Sequence, residues 1–180
     1  MIPLLLLLLA SHCGMERQLV KTSADSDAAK VESTPVNATV AQLNALPAPS
    51  RAELDRKTDS RFPAEMKTYK VVAYLEGFKL EADEDFHIVL EDLNDPKMTM
   101  VAEMIAGECA PEAIRNQSDT LRASWQARFG KARPRFKKFA AHKIKIEITG
   151  VGFFDFLHGQ TGVAKNGFEL HRVLTWREVP

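Results

Sequence analysis

A change of hydrophobic period in the second half of the chain constrains the fold most. Tyr69, Val71, Ala73 and Leu75 lie on one face of an extended segment running to Leu80, the period-two pattern of a half-buried strand. Gly77 interrupts that run, as a bulge does where a barrel strand bends. Phe86, Ile88 and Leu90 repeat the pattern over Phe86 to Glu91, and Met98 to Ile105 reads as a third strand. The turns between them are the acidic Glu81 to Asp85 and Leu93-Asn94-Asp95-Pro96. Gly107 to Asn116, which contains Pro111, reads as loop. From Ser118 the period becomes helical, because Leu121, Trp125 and Phe129 are spaced four apart. Ser118 suits an N-cap, Gly130 the residue past the helix end, and Pro134 lies beyond it.

Ile144, Ile146 and Ile148 then alternate with Lys143, Lys145 and Glu147, and Gly150 and Gly152 loosen the strand at a bend. A Gly-rich loop from His158 to Gly167 leads into a last strand from Phe168 to Trp176. The order is three strands, a helix and two strands. This is the order of an OB-fold, a mainly β, five-stranded barrel with its helix between strands three and four. Closure would remove the exposed strand edges. An α+β sandwich is the alternative arrangement of these elements.

The N-terminal third reads differently. Leu4 to Ala10 is an unbroken apolar run of seven, well short of the roughly 20 residues that span a bilayer. It fits the core of a secretory signal. Ser11 and Cys13 suit a cut before Gly14, giving a signal segment over 1–14. Ala10-Ser11-His12-Cys13 also resembles a lipobox, with His12 where Gly or Ala is expected, so a lipid anchor at Cys13 is the second reading. Met1-Ile2-Pro3 carries no Lys or Arg, which points to a true start upstream. Residues 15–64 hold Pro35, Pro47, Pro49 and Pro63, no aromatic before Phe62, and seven basic and seven acidic residues interspersed. So little apolar surface does not offset the entropy of ordering, and the segment reads as a disordered linker. Within it, Val36 to Leu46 has the pattern of a short amphipathic helix ended by Pro47. The expected organisation is signal 1–14, linker 15–64 and barrel domain 65–180, in a protein exported to the periplasm or beyond.

Charge disfavours one class of partner. The 24 basic and 24 acidic residues balance, so there is no basic footprint for nucleic acid. Locally, Glu76 to Asp95 holds eight acidic residues and one Lys, whereas Arg128 to Lys145 holds eight basic residues and no acidic one. Such runs read as solvated surfaces that offset each other. Of the two cysteines, Cys13 falls in the signal segment, leaving Cys109 as a buried, inert thiol with no disulfide framework.

The segment Gly150-Val151-Gly152-Phe153-Phe154-Asp155-Phe156-Leu157-His158-Gly159-Gln160-Thr161-Gly162 and the following Asn166-Gly167-Phe168-Glu169-Leu170-His171 are distinctive. Together they resemble the C-terminal pattern GVGFFDxxHGQxGxAxNGxELHPVL of a family of bacterial exported proteins whose functions are largely uncharacterised. Asp85-Phe86-His87-Ile88-Val89-Leu90 is similar to that family's DxHLVL segment, and Met98 to Glu103 to its TMIAE segment. Arg172 stands where the family has Pro. The resemblance covers about residues 65 to 180 and implies a compact β-rich fold without implying an activity.

Candidate site residues cluster near that end. His158, Gln160, Asp155, Asn166 and His171 are the expected binding residues, on a loop longer than a simple turn requires. Asp155, His158 and His171 are ligand types that could hold a metal if the last two strands form a hairpin, with His87 at the start of strand two lying elsewhere. Gly159, Gly162 and Gly167 read as positive-φ positions of the loop. The loop is not a phosphate cradle, because no Lys stands at P-loop spacing. Of Phe153, Phe154 and Phe156, alternation buries two and leaves the third beside the loop. No cofactor is indicated. The expected function is a non-enzymatic cell-envelope module that recognises a protein or glycan through the loop between strands four and five. Nucleic acid is disfavoured by the acidic Glu81 to Asp85 turn. A metal-assisted hydrolase centred on His158, Asp155 and His171 is the alternative.

Overall fold

The computed structural model describes residues 13–14, 16–139 and 143–180. The apolar run Leu4 to Ala10 lies outside them. The strands are β1 (Glu32–Ala38), β2 (Lys67–Leu80), β3 (Phe86–Glu91), β4 (Thr99–Met104), β5 (Lys137–Lys138), β6 (Ile144–Phe154) and β7 (Phe168–Glu178). The helices are α1 (Gln18–Lys21), α2 (Val40–Asn44), α3 (Arg51–Arg56) and α4 (Glu112–Phe129).

Strands β2, β3, β4, β7 and β6 neighbour one another in that order, and β6 pairs back onto β2 to close a five-stranded barrel. The pairing of β4 with β7 is parallel; the other contacts in the ring are antiparallel. With α4 between the third and fourth barrel strands, this is OB-like topology. The register of β2 on β3 shifts between Leu75 and Gly77. The bulge lets the Lys137–Lys138 backbone approach so closely that a Cβ on Gly77 would lie 2.4 Å from the Lys137 carbonyl oxygen. Only Gly fits there.

The barrel interior takes one face of each strand. Val71, Ala73 and Leu75, Phe86, Ile88 and Leu90, Met100, Ala102 and Met104, Ile146 and Ile148, and Phe168 and Leu170 form one core cluster. Helix α4 closes it. Trp125 is fully buried, with ring centroids 4.5 Å from Phe129, 5.0 Å from Trp176 and 5.6 Å from Phe78. The helix starts at Glu112, after Pro111, and not at Ser118. Ser118 faces inward, and its hydroxyl donates to the Ile105 carbonyl at 2.5 Å, so a local polar anchor had the appearance of a cap.

The N-terminal segment departs most from expectation. It is not a linker: β1 pairs in parallel with β2, and Val20, Val40, Leu43 and Leu54 are buried. Val36 belongs to β1, and the helix of that region is shorter, covering Val40–Asn44 behind a Thr39 capping box. Charged pairs supply much of what apolar area does not. Arg17 grips Glu65 with two bonds, at 2.5 and 2.8 Å, and donates to the Phe154 and Lys57 carbonyls. Arg61 grips Asp25 in the same bidentate way, at 2.7 and 3.1 Å, and also donates to the Val20 carbonyl. All four side chains are essentially inaccessible. Bidentate Arg–carboxylate geometry is what makes such burial tolerable.

A disulfide joins Cys13 to Cys109. Cys109 is therefore not the free, inert thiol that the sequence suggests, because Cys13 stays with the folded domain and bonds to it. One sulfur cannot carry both a disulfide and a thioether lipid, so the bonded Cys13 has no thiol left for an anchor. Among the described residues no helix is long and apolar enough to cross a membrane.

Candidate functional site

Strand alternation sends Phe86, Ile88, Ala102, Met104 and Leu170 into the barrel and therefore sends His87, Glu103 and His171 to its outer face. Register then lines these up. Lys79 pairs with His87 across β2 and β3, His87 with Glu103 across β3 and β4, and Glu103 with His171 across β4 and β7. One polar row thus crosses four adjacent strands on the outside of the barrel.

On a bare barrel this row would be solvated. Here His87, Glu103 and His171 are buried, because two covers lie over them. One is the N-terminal segment. The Lys21 carbonyl accepts from His171 Nδ1 at 3.1 Å, and Arg17 and Lys21 stack over Phe153 at 4.8 and 5.8 Å. The other is the loop between β6 and β7. Gly162, at φ +77°, lies against Val89 so tightly that a Cβ would sit 2.3 Å from its Cγ1, which brings the loop down onto β3. The Thr161 carbonyl then accepts from His87 Nε2 at 2.8 Å.

These carbonyl contacts determine the protons. A carbonyl only accepts, so His87 Nε2 and His171 Nδ1 both carry hydrogen. The other nitrogens face carboxylates: His87 Nδ1 lies 2.9 Å from Glu103 Oε1, and His171 Nε2 lies 3.0 Å from Glu103 Oε2 and 3.4 Å from Asp85 Oδ2. Two lone pairs cannot bond, so a proton lies between each imidazole and Glu103. Burial disfavours the charge on His171, but Asp85 and Glu103 outweigh it and push it up to about 10. His87 is raised for the same reason, with burial opposing and Glu103 prevailing. Burial likewise opposes ionisation of Glu103, and His171, His87 and Lys21 nevertheless hold it well below the usual carboxylate range. Glu169, next to this row on β7, goes the other way. Burial, reinforced by the charges of Glu103 and Asp155, raises it well above the usual carboxylate range. Burial also pushes Asp85 up, against the pull of His171.

Lys79, His87 and Glu103 of this row form the floor of a cleft of about 470 Å³. Its walls are Glu81 and Asp83 from the β2–β3 turn and Asp155, His158 and Gln160 from the β6–β7 loop, with Lys21 from the N-terminal segment. Two polar atoms nearby are buried without a hydrogen-bond partner, Asp155 Oδ1 and Glu169 Oε1, and His171 Nε2 is aligned on neither of the carboxylates it faces.

The expected site residues separate into three groups. His158 is exposed at the rim; Gln160 ties the loop, with its Nε2 2.8 Å from the Phe156 carbonyl and 3.3 Å from Asp155 Oδ2. Asp155 lines the wall. Asn166 is not in the cleft at all: its amide donates to the Leu43 and Leu46 carbonyls and its Oδ1 accepts from Phe168, which fastens the loop to α2. His171 is fully buried beneath the cleft. Asp155, His158 and His171 do not converge as a metal set; among the described residues the groups that do are Glu81, His87 and Glu103, and Asp85, Glu103 and His171. The hydrolase centred on the former trio loses its geometry. Glu103 is the residue that sequence reasoning misses, and His87, expected apart from the others, stands beside it in the row; their outward place next to inward apolar residues is the signal that would find both. All three phenylalanines are buried, because the N-terminal segment covers Phe153 on the outer face. The loop glycines Gly159, Gly162 and Gly167 do adopt positive φ.

The acidic and basic runs partly neutralise each other: Lys138 pairs with Glu76 at 3.2 Å and Lys143 with Glu91 at 2.8 Å.

No family model matches the sequence, and no curated protein matches it. Among solved structures, one from Leishmania major Friedlin described as an aspartyl-tRNA synthetase is similar, at 15% identity and a TM-score of 0.41. The match covers 82% of this chain and 21% of that one, so the chain spans about a fifth of that protein's length.

Proposed function

We propose that this chain is an exported binding module that captures a hydroxyl-rich ligand of the glycan class in the cleft over β3 and β4. The observation that carries the reading is the cleft's position. It lies on the outer face of the second and third barrel strands, between the turn joining strands one and two and the loop joining strands four and five. Those are the surfaces by which OB-folds take oligosaccharides and oligonucleotides. Glu81, Asp83 and Asp155 in the walls repel a polyanion and accept from hydroxyl groups. Lys21 and His158 supply donors beside them, and Gln160 holds the loop that presents His158. The Cys13–Cys109 disulfide supports export, since such bonds persist in oxidising compartments.

The test is an array of soluble oligosaccharides probed with wild type and with the double variant His158→Ala, Gln160→Ala. His158 is exposed and Gln160 bonds only within its own loop, so the melting temperature should fall by only a few degrees while capture is lost. A variant that captures the same sugars as wild type would refute the reading, and so would a wild type that captures none. Binding to a protein partner alone would replace the glycan class.

A further inference from the structure

We propose that Glu81, His87 and Glu103 bind one divalent first-row metal ion, of the zinc or manganese class, at the floor of the cleft. Their ligand atoms all lie within 4.8 Å of one another. His87 Nδ1 is 2.9 Å from Glu103 Oε1 and 3.3 Å from Glu81 Oε1. Metal–ligand bonds of about 2.0–2.2 Å place adjacent donors about 2.8–3.6 Å apart, so the two spacings from His87 already match those of adjacent ligands, and the two carboxylates, within 4.8 Å of each other, close onto the ion when it binds. One imidazole and two carboxylates are the borderline-to-hard donor set that such ions take.

The surroundings are those of a supported site. A metal-bound His ordinarily donates its other N–H to a carbonyl or carboxylate, which orients the ring. His87 Nε2 does so to the Thr161 carbonyl. Glu103 would ligate through Oε1, while its Oε2 lies 3.0 Å from His171 Nε2, and His171 Nδ1 is fixed on the Lys21 carbonyl. His171 is fully buried, and its Nε2 is aimed at this carboxylate without being aligned on any one oxygen. Three protein ligands, all lining the cleft, leave positions open toward it, the pattern of a metal that also meets a bound molecule. The ion takes the place of the proton between His87 Nδ1 and Glu103 Oε1, which is released to solvent, and of Lys79 Nζ, which stands 2.8 Å from Glu81 Oε1. The assignment does not depend on the ligand class proposed above.

The experiment is calorimetric titration of the chelator-stripped full chain with zinc and with manganese, followed by elemental analysis. Wild type should bind one equivalent of at least one of them. Glu81→Gln, on a side chain that is 28% exposed, should weaken binding at least tenfold while the metal-free melting temperature falls by no more than a few degrees. His171→Asn should weaken it about 10–100-fold as a supporting residue. Cobalt substituted into wild type should give visible absorption bands that Glu81→Gln loses. Absence of saturable binding, or Glu81→Gln binding as wild type does, overturns the site. Two equivalents, one of them lost in His171→Asn, overturns the one-ion assignment and makes His171 a ligand.

Discussion

Replacing Cys13 and Cys109 together with Ser should destabilise the domain far more than two surface substitutions would. The bond closes a loop with a sequence separation of 96 residues. On the chain-entropy account a loop of that size withholds about 4.7 kcal/mol of unfolded-state entropy. For a chain in this size range each kcal/mol shifts the melting temperature by about 2–4 °C, so the double variant should melt about 9–19 °C lower. The location adds a second effect. Cys13 anchors the segment that carries Arg17 and Lys21 over Phe153 and His171. Losing that anchor should expose the segment to protease as well. Urea denaturation of wild type, of wild type with reductant and of the double variant measures the energy, and limited proteolysis reports the segment. A loss below about 1 kcal/mol would refute the reasoning. Rapid cleavage within residues 16–64 of the intact oxidised protein would refute it as well.

Trp125→Ala should cost about 3–5 kcal/mol, since the ring is fully buried among Phe78, Phe129 and Trp176 and its Nε1 makes no bond that the substitution would break; a loss below 1 kcal/mol by urea denaturation contradicts that packing. Stability should also fall with rising pH. His171 rises from 6.5 to about 10 on folding, so its contribution, on the order of 5 kcal/mol, is complete below pH 6.5 and is lost as pH rises through 10. The raised Glu169 acts in the same direction once pH exceeds its unfolded value, whereas the depressed Glu103 contributes above pH 4.5 and fails only in acid. Melting temperatures at constant ionic strength should decline from pH 6 to pH 10, and Glu169→Gln should flatten the curve; a flat or rising wild-type curve contradicts the proton assignment.

The barrel was legible because its signals are local. Phe86, Ile88 and Leu90 alternate, Leu121, Trp125 and Phe129 keep helical spacing, and Gly77 marks its bulge. The N-terminal segment was illegible for a physical reason. Composition measures apolar area, but this stretch is held by Arg17–Glu65, Arg61–Asp25 and a disulfide, all between residues distant in sequence. The short β5 and the parallel β1 likewise depend on neighbours that no local pattern reveals. For the site, the loop residues Asp155, His158 and Gln160 could be read from a motif, whereas the floor could not. His87, Glu103 and His171 occupy outward positions where a polar residue is ordinarily solvated. Only the strand register and the two covers turn them into one buried row.

The most direct test of the cleft as the functional surface is a backbone nuclear magnetic resonance titration with the oligosaccharides that the array retains. Amide shifts should move at Lys79 to His87 and at Asp155 to Thr161, and remain still along α4 and at Asn166. Shifts concentrated on α4 or on the Lys131 to Lys138 surface, with the cleft silent, would contradict the account.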